Sequence, residues 1–102
     1  MVEFRQLAVA TFAALLTSSA FASADLAKSK NCVACHSVER KMIGPPYKAV
    51  AERYAKDESA IKLLSEKIVK GGGGNWGQLA MPPQPSVSPE EAESLAKWIL
   101  SQ

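Results

Sequence analysis

The chain has 102 residues, 12 Lys and Arg against 10 Asp and Glu, and a formal net charge of +2. That length allows one small domain with a modest core, and the charge shows no basic excess of the kind that nucleic-acid binding requires. With 2 Cys and 1 His, the chain cannot complete a four-ligand zinc site or a disulfide framework. A domain of this size therefore needs another stabilising element, such as a buried cofactor.

The amino-terminal stretch predicts an export signal. An apolar run over residues 7–16 follows a positively charged start, and Ala22-Ser23-Ala24 matches the A-x-A cleavage pattern. We expect cleavage after Ala24, with cleavage after Ala22 as the alternative. An uncleaved anchor is the competing interpretation, because the uncharged stretch to Ala24 is close to the minimum length for a spanning helix.

The expected organisation is therefore a removed signal peptide over residues 1–24 and a single domain over residues 25–102. The mature protein is expected in the periplasm, without stable insertion into the membrane.

The next feature is the run Cys-Val-Ala-Cys-His at residues 32–36. C-x-x-C-H is the attachment signature of c-type haem. Two thiols three positions apart on one helical turn can form thioether bonds to two vinyl groups, and the following imidazole becomes an iron ligand. The signature predicts that Cys32 and Cys35 attach one covalent haem c and that His36 is an axial ligand.

Other interpretations of this run are weaker. A disulfide between Cys32 and Cys35 would close a very short loop, and the stabilisation from a disulfide grows with loop length. A thioredoxin-like redox motif requires a βαβ setting, and the sequence has no alternating strand pattern. A zinc site would need more Cys or His residues than the chain has.

Four helices can be predicted, so the fold class is all-α. The first is expected to begin near Asp25 and to carry the C-x-x-C-H run at its end. The second is predicted from Tyr47 to Tyr54, because apolar side chains there recur at i, i+3, i+4 and i+7. The third is expected after a cap at Asp57 or Ser59.

We expect this third helix to bury Ile61, Leu64 and Ile68, and to end at Gly71. The fourth helix has the strongest start signal, with Ser88 as N-cap and Pro89 at the first helical position.

Glu91 completes an S-x-x-E capping box with Ser88. Leu95, Trp98 and Ile99 share one face of this helix, and Glu93 can pair with Lys97 one turn later.

A haem iron held by one His needs a sixth ligand or keeps an open site. No second His is present, so the candidates are methionines. Met42 follows His36 too closely to reach the opposite haem face without a tight loop. Met81 is better placed, because Pro82 and Pro83 restrict the backbone that presents it.

Four segments stand out along the chain, namely Asn31-Cys-Val-Ala-Cys-His36, Met42-Ile43-Gly44-Pro45, Trp76-Gly77 and Met81-Pro82-Pro83. Together they resemble a small bacterial class I cytochrome c, of the type of the short periplasmic electron donors to cytochrome cd nitrite reductase and terminal oxidases. The resemblance covers residues 25–102 and implies a compact helical fold around one haem.

The resemblance also implies residue roles. His36 and Met81 would be the axial ligands, the Pro45 carbonyl would accept a hydrogen bond from His36, and Trp76 would reach a haem propionate. Relatives often have Asn after the Met-Pro-Pro run, donating to the ligand sulfur, whereas this chain has Gln84. The four glycines at residues 71–74 lack the Lys and Ser or Thr of a phosphate loop, so we expect close backbone packing or a sharp turn there.

The predicted function is one-electron transfer in the periplasm, not enzymatic catalysis. The expected partners are redox proteins, namely a nitrite reductase, an oxidase or a quinol-oxidising complex in respiration or denitrification, and the carrier itself is expected to be a monomer that binds no nucleic acid. A haem enzyme or gas sensor would need an open sixth site. A subunit of a larger complex is the third alternative, although no linker or second domain is recognisable.

Charged residues are unevenly distributed along the chain. Basic residues flank the attachment run, and acidic residues cluster on the last helix; the basic ones are Lys28, Lys30, Arg40, Lys41 and Lys48. The resemblance implies that an exposed haem edge lies inside this basic rim and is surrounded by apolar residues, namely Val33, Ala34, Met42, Ile43, Pro82 and Pro83. The alternative is an ordinary solvated surface.

Overall fold

The computed structural model describes residues 22–102, and the predicted signal residues 1–21 lie outside this part. It is all-α, as predicted, with α1 over residues 22–29, α2 over Tyr47–Arg53, α3 over Ala60–Lys70 and α4 over Pro89–Leu100. In the described residues, extended pairing is limited to one antiparallel bridge between Gly72 and Met81. No helix within residues 22–102 is long and apolar enough to cross a bilayer.

The first helix differs from the prediction at both ends. It is already formed at Ala22, before Asp25, and it ends at residue 29. Asn31 then adopts a left-handed backbone conformation with φ of 63°, which Asn tolerates better than most residues. The attachment run therefore lies on a separate 3₁₀ turn, Cys32–Ala34, and not on the end of α1.

The middle helices match their predicted positions within a residue. In α2, Tyr47 and Val50 are buried. The helix α3 starts after Ser59, where the Asp57 carboxylate accepts hydrogen bonds from the Ser59 N–H and hydroxyl. It ends at Gly71, whose φ is 72°, a conformation favoured by glycine.

The prediction that Ile61 is buried was wrong, because its side chain is 37% exposed. The buried stripe of α3 instead consists of Ala60, Leu64 and Ile68 at i, i+4 and i+8. Ile61 lies about 100° round the helix from Ala60, and the small Ala60 side chain, 2% exposed, takes its place against the core.

The start of α4 confirms the predicted capping box. The Ser88 hydroxyl accepts from the Glu91 N–H at 3.1 Å, and the Glu91 carboxylate accepts from the Ser88 N–H at 2.9 Å. Pro89 occupies the first turn. The predicted pair also forms, with Lys97 Nζ at 3.2 Å from the Glu93 carboxylate.

The helix α4 packs against α2 and α3 and supplies the centre of the core. Ala92, Leu95 and Ala96 are at most 1% exposed. The two alanines let neighbouring backbones come close, while Leu95 fills the space beside Ala27 and Ile68. The last turn of α1 is thereby held against α4, and the 3₁₀ turn that follows is fixed in position.

Candidate functional site

An apolar cavity of about 770 Å³ opens between the 3₁₀ turn, the helices and the long loop before α4. Its volume falls within the range of about 300–1,000 Å³ that is usual for cofactor sites. Its lining includes Cys32, Cys35, His36 and Met81. The four residues that the sequence predicts to attach and ligate a haem therefore line one cavity.

The two cysteines are free thiols and half-buried. Their spacing on a 3₁₀ turn matters, because side chains at i and i+3 of such a turn are eclipsed and project in the same direction. Burial raises the pKa of the Cys32 thiol, which is the opposite of the lowered pKa of a redox-active cysteine. The shared direction of the two side chains suits attachment to one group.

The imidazole of His36 is held by backbone on one side. Its Nδ1 lies 2.8 Å from the carbonyl oxygen of Pro45. A carbonyl can only accept, so Nδ1 carries the proton, and Nε2 of the neutral ring keeps a lone pair for a metal. The ring also stacks on Tyr47, with centroids 5.3 Å apart and planes at 20°.

Gly44 makes this approach of the loop to the histidine possible. A Cβ built on Gly44 would lie 2.4 Å from Cε1 and 2.7 Å from Nδ1 of His36. The Gly44 N–H donates to the Cys35 carbonyl at 2.8 Å, so the loop is tied back to the attachment run. The glycine backbone therefore packs directly against the His36 ring.

Met81 is presented by a loop that closes on itself. Gly72 and Met81 exchange two backbone hydrogen bonds of 3.0 and 2.8 Å; we call residues 72–81 the bridge loop. A Cβ on Gly71 would lie 2.4 Å from the Met81 carbonyl oxygen and 2.8 Å from the nitrogen of Pro83. The glycine run thus permits close backbone packing, as expected, beside the predicted ligand.

The other predicted residues are also at the cavity. Met42 lines it and is 43% exposed, and Trp76 lines it and is 39% exposed. The Gln84 side-chain amide donates to the Pro82 carbonyl at 3.2 Å. Gln84 is thus engaged with backbone, a bond that the sequence alone did not reveal.

Several contributors to the site were missed by sequence reasoning. Tyr47, Tyr54 and Lys67 line the cavity, and burial raises the pKa of the Tyr47 phenol. The sequence places Tyr47 and Tyr54 on one face of α2. Their shared face was the signal that could have placed them at the cavity. Arg53, which stacks on Trp76, carried no such signal because its partner lies on a distant loop.

The surface around the cavity combines apolar and basic residues. The apolar residues nearest the attachment run and the Met81 segment are all exposed; they are Val33, Ala34, Met42, Ile43, Pro82 and Pro83. Two of the five predicted rim cations are paired, since Lys30 lies 3.4 Å from the Glu91 carboxylate and Lys48 lies 2.9 Å from that of Glu39. The pairing leaves the basic rim weaker than the sequence suggests.

Comparisons with known proteins agree with this site. The family model for cytochrome c matches residues 22–102. Cytochrome c-552 of Nitrosomonas europaea is 49% identical over 94 residues, covering 89% of this chain and 91% of that protein. Cytochrome c-551 of Pseudomonas aeruginosa is 49% identical over 77 residues, covering 76% of this chain and 73% of that protein.

The fold agrees as well. The crystal structure of wild-type Nitrosomonas europaea cytochrome c552 superposes with a TM-score of 0.75 at 50% identity, over 76% of this chain and 96% of that chain. The chain therefore belongs to the cytochrome c family, as one of the small class I electron carriers whose cofactor is a single covalently bound c-type haem.

Proposed function

We propose that the protein is a periplasmic one-electron carrier with His36 and Met81 as the axial ligands of its haem iron. In this proposal Cys32 and Cys35 hold the haem through thioether bonds, and Trp76 donates to a propionate. The bound haem supplies a reversible one-electron couple between ferric and ferrous iron.

The observation that carries the proposal is the shared cavity. Residues 32–36 and residue 81 are far apart in sequence, yet both line the same apolar space. A thiol pair, an imidazole and a thioether are the donor set of a His/Met-ligated c-type haem.

Each residue has a defined task in this arrangement. The Pro45 carbonyl fixes the tautomer and orientation of His36, which presents the Nε2 lone pair. The bridge between Gly72 and Met81 positions the thioether from the other loop. With His36 and Met81 both bound to the iron, no position would be free for a substrate, so the protein would transfer electrons without binding a reactant there.

The environment should also set the reduction potential. Met/His ligation raises the potential of a haem, and an apolar cavity disfavours the additional positive charge of the ferric state. Both effects favour an electron acceptor of moderate to high potential. We propose that the acceptor is a nitrite reductase or terminal oxidase and the donor a quinol-oxidising complex, each meeting a monomeric carrier.

We also propose that the protein is exported and cleaved after Ala24, so that the mature chain begins at Asp25. Covalent attachment suits an exported carrier, because its cofactor cannot be lost outside the cytoplasm. Intact mass spectrometry of the periplasmic protein should give the peptide 25–102 plus one haem. A mass equal to the bare peptide, or haem released by acid-acetone extraction, would contradict covalent attachment.

The ligand assignment is tested by comparing Met81→Ala with Met42→Ala as the matched control. Both methionines line the cavity, so the pair separates ligation from general packing. Met81→Ala should abolish the weak ferric charge-transfer band at the red end of the spectrum, lower the potential and allow carbon monoxide to bind. Met42→Ala should retain that band, and loss of the band in Met42→Ala instead would overturn the assignment.

A further inference from the structure

Arg53 joins the end of α2 to the bridge loop. Its guanidinium carbon lies 4.7 Å from the centroid of the Trp76 ring, and Nη1 donates to the backbone carbonyl of Asn75. The same guanidinium lies 6.0 Å from the Tyr54 ring centroid. One side chain thus contacts two aromatic rings and a backbone acceptor, across 22 residues of sequence.

The two ends of this contact differ in how firmly they are held. The helix α2 is anchored by Tyr47 and Val50, which are 4% and 7% exposed. Within residues 22–102, the one hydrogen bond that joins residues 73–80 of the bridge loop to the rest of the protein is the bond from Arg53 to Asn75. Segments with few attachments to the rest of a protein open at low free-energy cost, so losing this bond and the stack on Trp76 should change how often the loop opens.

Arginine is chemically suited to this position. Its planar guanidinium can stack on an indole while its N–H groups remain free to donate in the ring plane, which a lysine ammonium cannot do. Arg53 is also the last residue of α2, where a cation interacts favourably with the helix dipole. Arg53 does not itself line the cavity, and its contacts are with the bridge loop and Tyr54.

We propose that Arg53 is a positioning residue that latches the bridge loop to α2 and thereby sets how often Met81 and Trp76 leave the site. The consequence for Met81 as a ligand rests on the proposed function, whereas the latch itself rests only on the protein contacts. When the latch opens, the stack on Trp76 and the bond to Asn75 are lost together. The bridge between Gly72 and Met81 then still joins the two ends of the loop, and under the proposed function Met81 would hold it at the iron.

Amide hydrogen exchange of the haem-loaded protein tests the latch. The amides of Gly72 and Met81 bond across the bridge and report opening of the loop, while those of Leu95 and Ala96 in α4 report global unfolding. In Arg53→Gln we expect the bridge amides to exchange about 5- to 30-fold faster, corresponding to about 1–2 kcal/mol, with the α4 amides unchanged. Arg53→Lys should fall between Arg53→Gln and the wild type.

Two controls make the result specific. Lys56→Gln removes the same charge from an exposed residue two positions after Tyr54, and it should leave the bridge amides unchanged. In a Trp76→Leu background, Arg53→Gln should have a smaller effect than in the wild type, because half of the contact is already absent. Unchanged bridge amides in Arg53→Gln, or equal acceleration of bridge and α4 amides, would overturn the latch, as would full additivity of the two substitutions.

The functional consequence has a separate measurement. Binding of imidazole to the ferric protein requires the sixth ligand to leave, so Arg53→Gln should increase imidazole affinity by the same factor as the exchange rate. If the bridge amides accelerate and imidazole binding does not change, the latch stands. That result would instead count against Met81 as the axial ligand.

Discussion

Replacing Gly44 with alanine should displace the His36 ring. Position 44 has no positive φ, so alanine is compatible with its backbone and the expected effect is purely steric. The new Cβ would lie 2.4 Å from Cε1 of His36 and 2.9 Å from Nε2. Ordinary contacts between carbon atoms begin near 3.5 Å, so ring and loop must separate by about 1 Å.

The ring has little freedom to yield. Its other surroundings include Tyr47, which stacks on it, and the Pro45 carbonyl, which accepts from Nδ1. Overpacking typically costs about 1–3 kcal/mol, and a lost hydrogen bond costs about 0.5–1.5 kcal/mol. We therefore expect Gly44→Ala to lower the free energy of unfolding by about 2–4 kcal/mol, a large part of the total of about 5–15 kcal/mol for a small domain.

Guanidinium chloride unfolding of the haem-loaded protein measures this loss, and the NMR resonance of the His36 Nδ1 proton reports the bond to Pro45. Gly77→Ala is the matched control. Gly77 has φ of 116° and no atom within 4 Å of its Cβ position, so alanine there strains the backbone without touching His36. Gly44→Ala with a stability within about 0.5 kcal/mol of the wild type and an unshifted Nδ1 proton would refute the steric argument.

Four further predictions concern the core, the cap and the surface. Leu95→Ala should lower the free energy of unfolding by about 2–5 kcal/mol in urea titrations, because the side chain is 1% exposed. Ser88→Ala should cost about 1 kcal/mol in thermal unfolding. The bond from the Ser88 N–H holds the pKa of Glu91 below its usual 4.5. The carboxylate therefore stabilises the fold above that pH, and this stabilisation is lost as the pH falls through the lower folded-state pKa. Glu91→Gln should flatten the acidic part of a plot of melting temperature against pH. Lys41→Glu should slow electron transfer to an acidic acceptor in stopped-flow measurements at low salt, and the difference from the wild type should shrink as the Debye length falls from about 30 to about 10 Å.

Local chemistry made much of the fold predictable. The capping box of α4 involves residues three positions apart, and every partner needed to form it is visible in the sequence. The end of α3 at Gly71 was predictable for the same reason. The exposure of Ile61 was not predictable, because the choice between Ala60 and Ile61 as the inward residue depends on how closely α3 approaches α4.

The candidate site likewise contains residues that the local sequence identifies and residues that only the folded structure brings together. The C-x-x-C-H run and the Met-Pro-Pro run each carry their own chemical signal, and both are found at the cavity. Arg53 and Asn75 carry none, because a guanidinium stacked on an indole requires two segments to meet in space. The separate 3₁₀ turn was also missed, since a left-handed Asn31 is a backbone conformation that the helix periodicity does not encode.

The structure presents the two predicted axial ligands from two short loops that close independently. We call residues 35–47, which carry His36, the His36 loop. It is tied by backbone bonds from Gly44 to Cys35 and from Tyr47 to Ser37. The bridge loop is tied by its own pair of backbone bonds. The closing bonds of each loop lie within that loop, so the bonds of one do not involve the other. The two cysteines belong to the His36 side, and opening of the bridge loop would therefore leave the covalent attachment and the histidine in place. Under the proposed function, transient loss of Met81 from the iron would be reversible, so a latched bridge loop is compatible with a permanently retained haem.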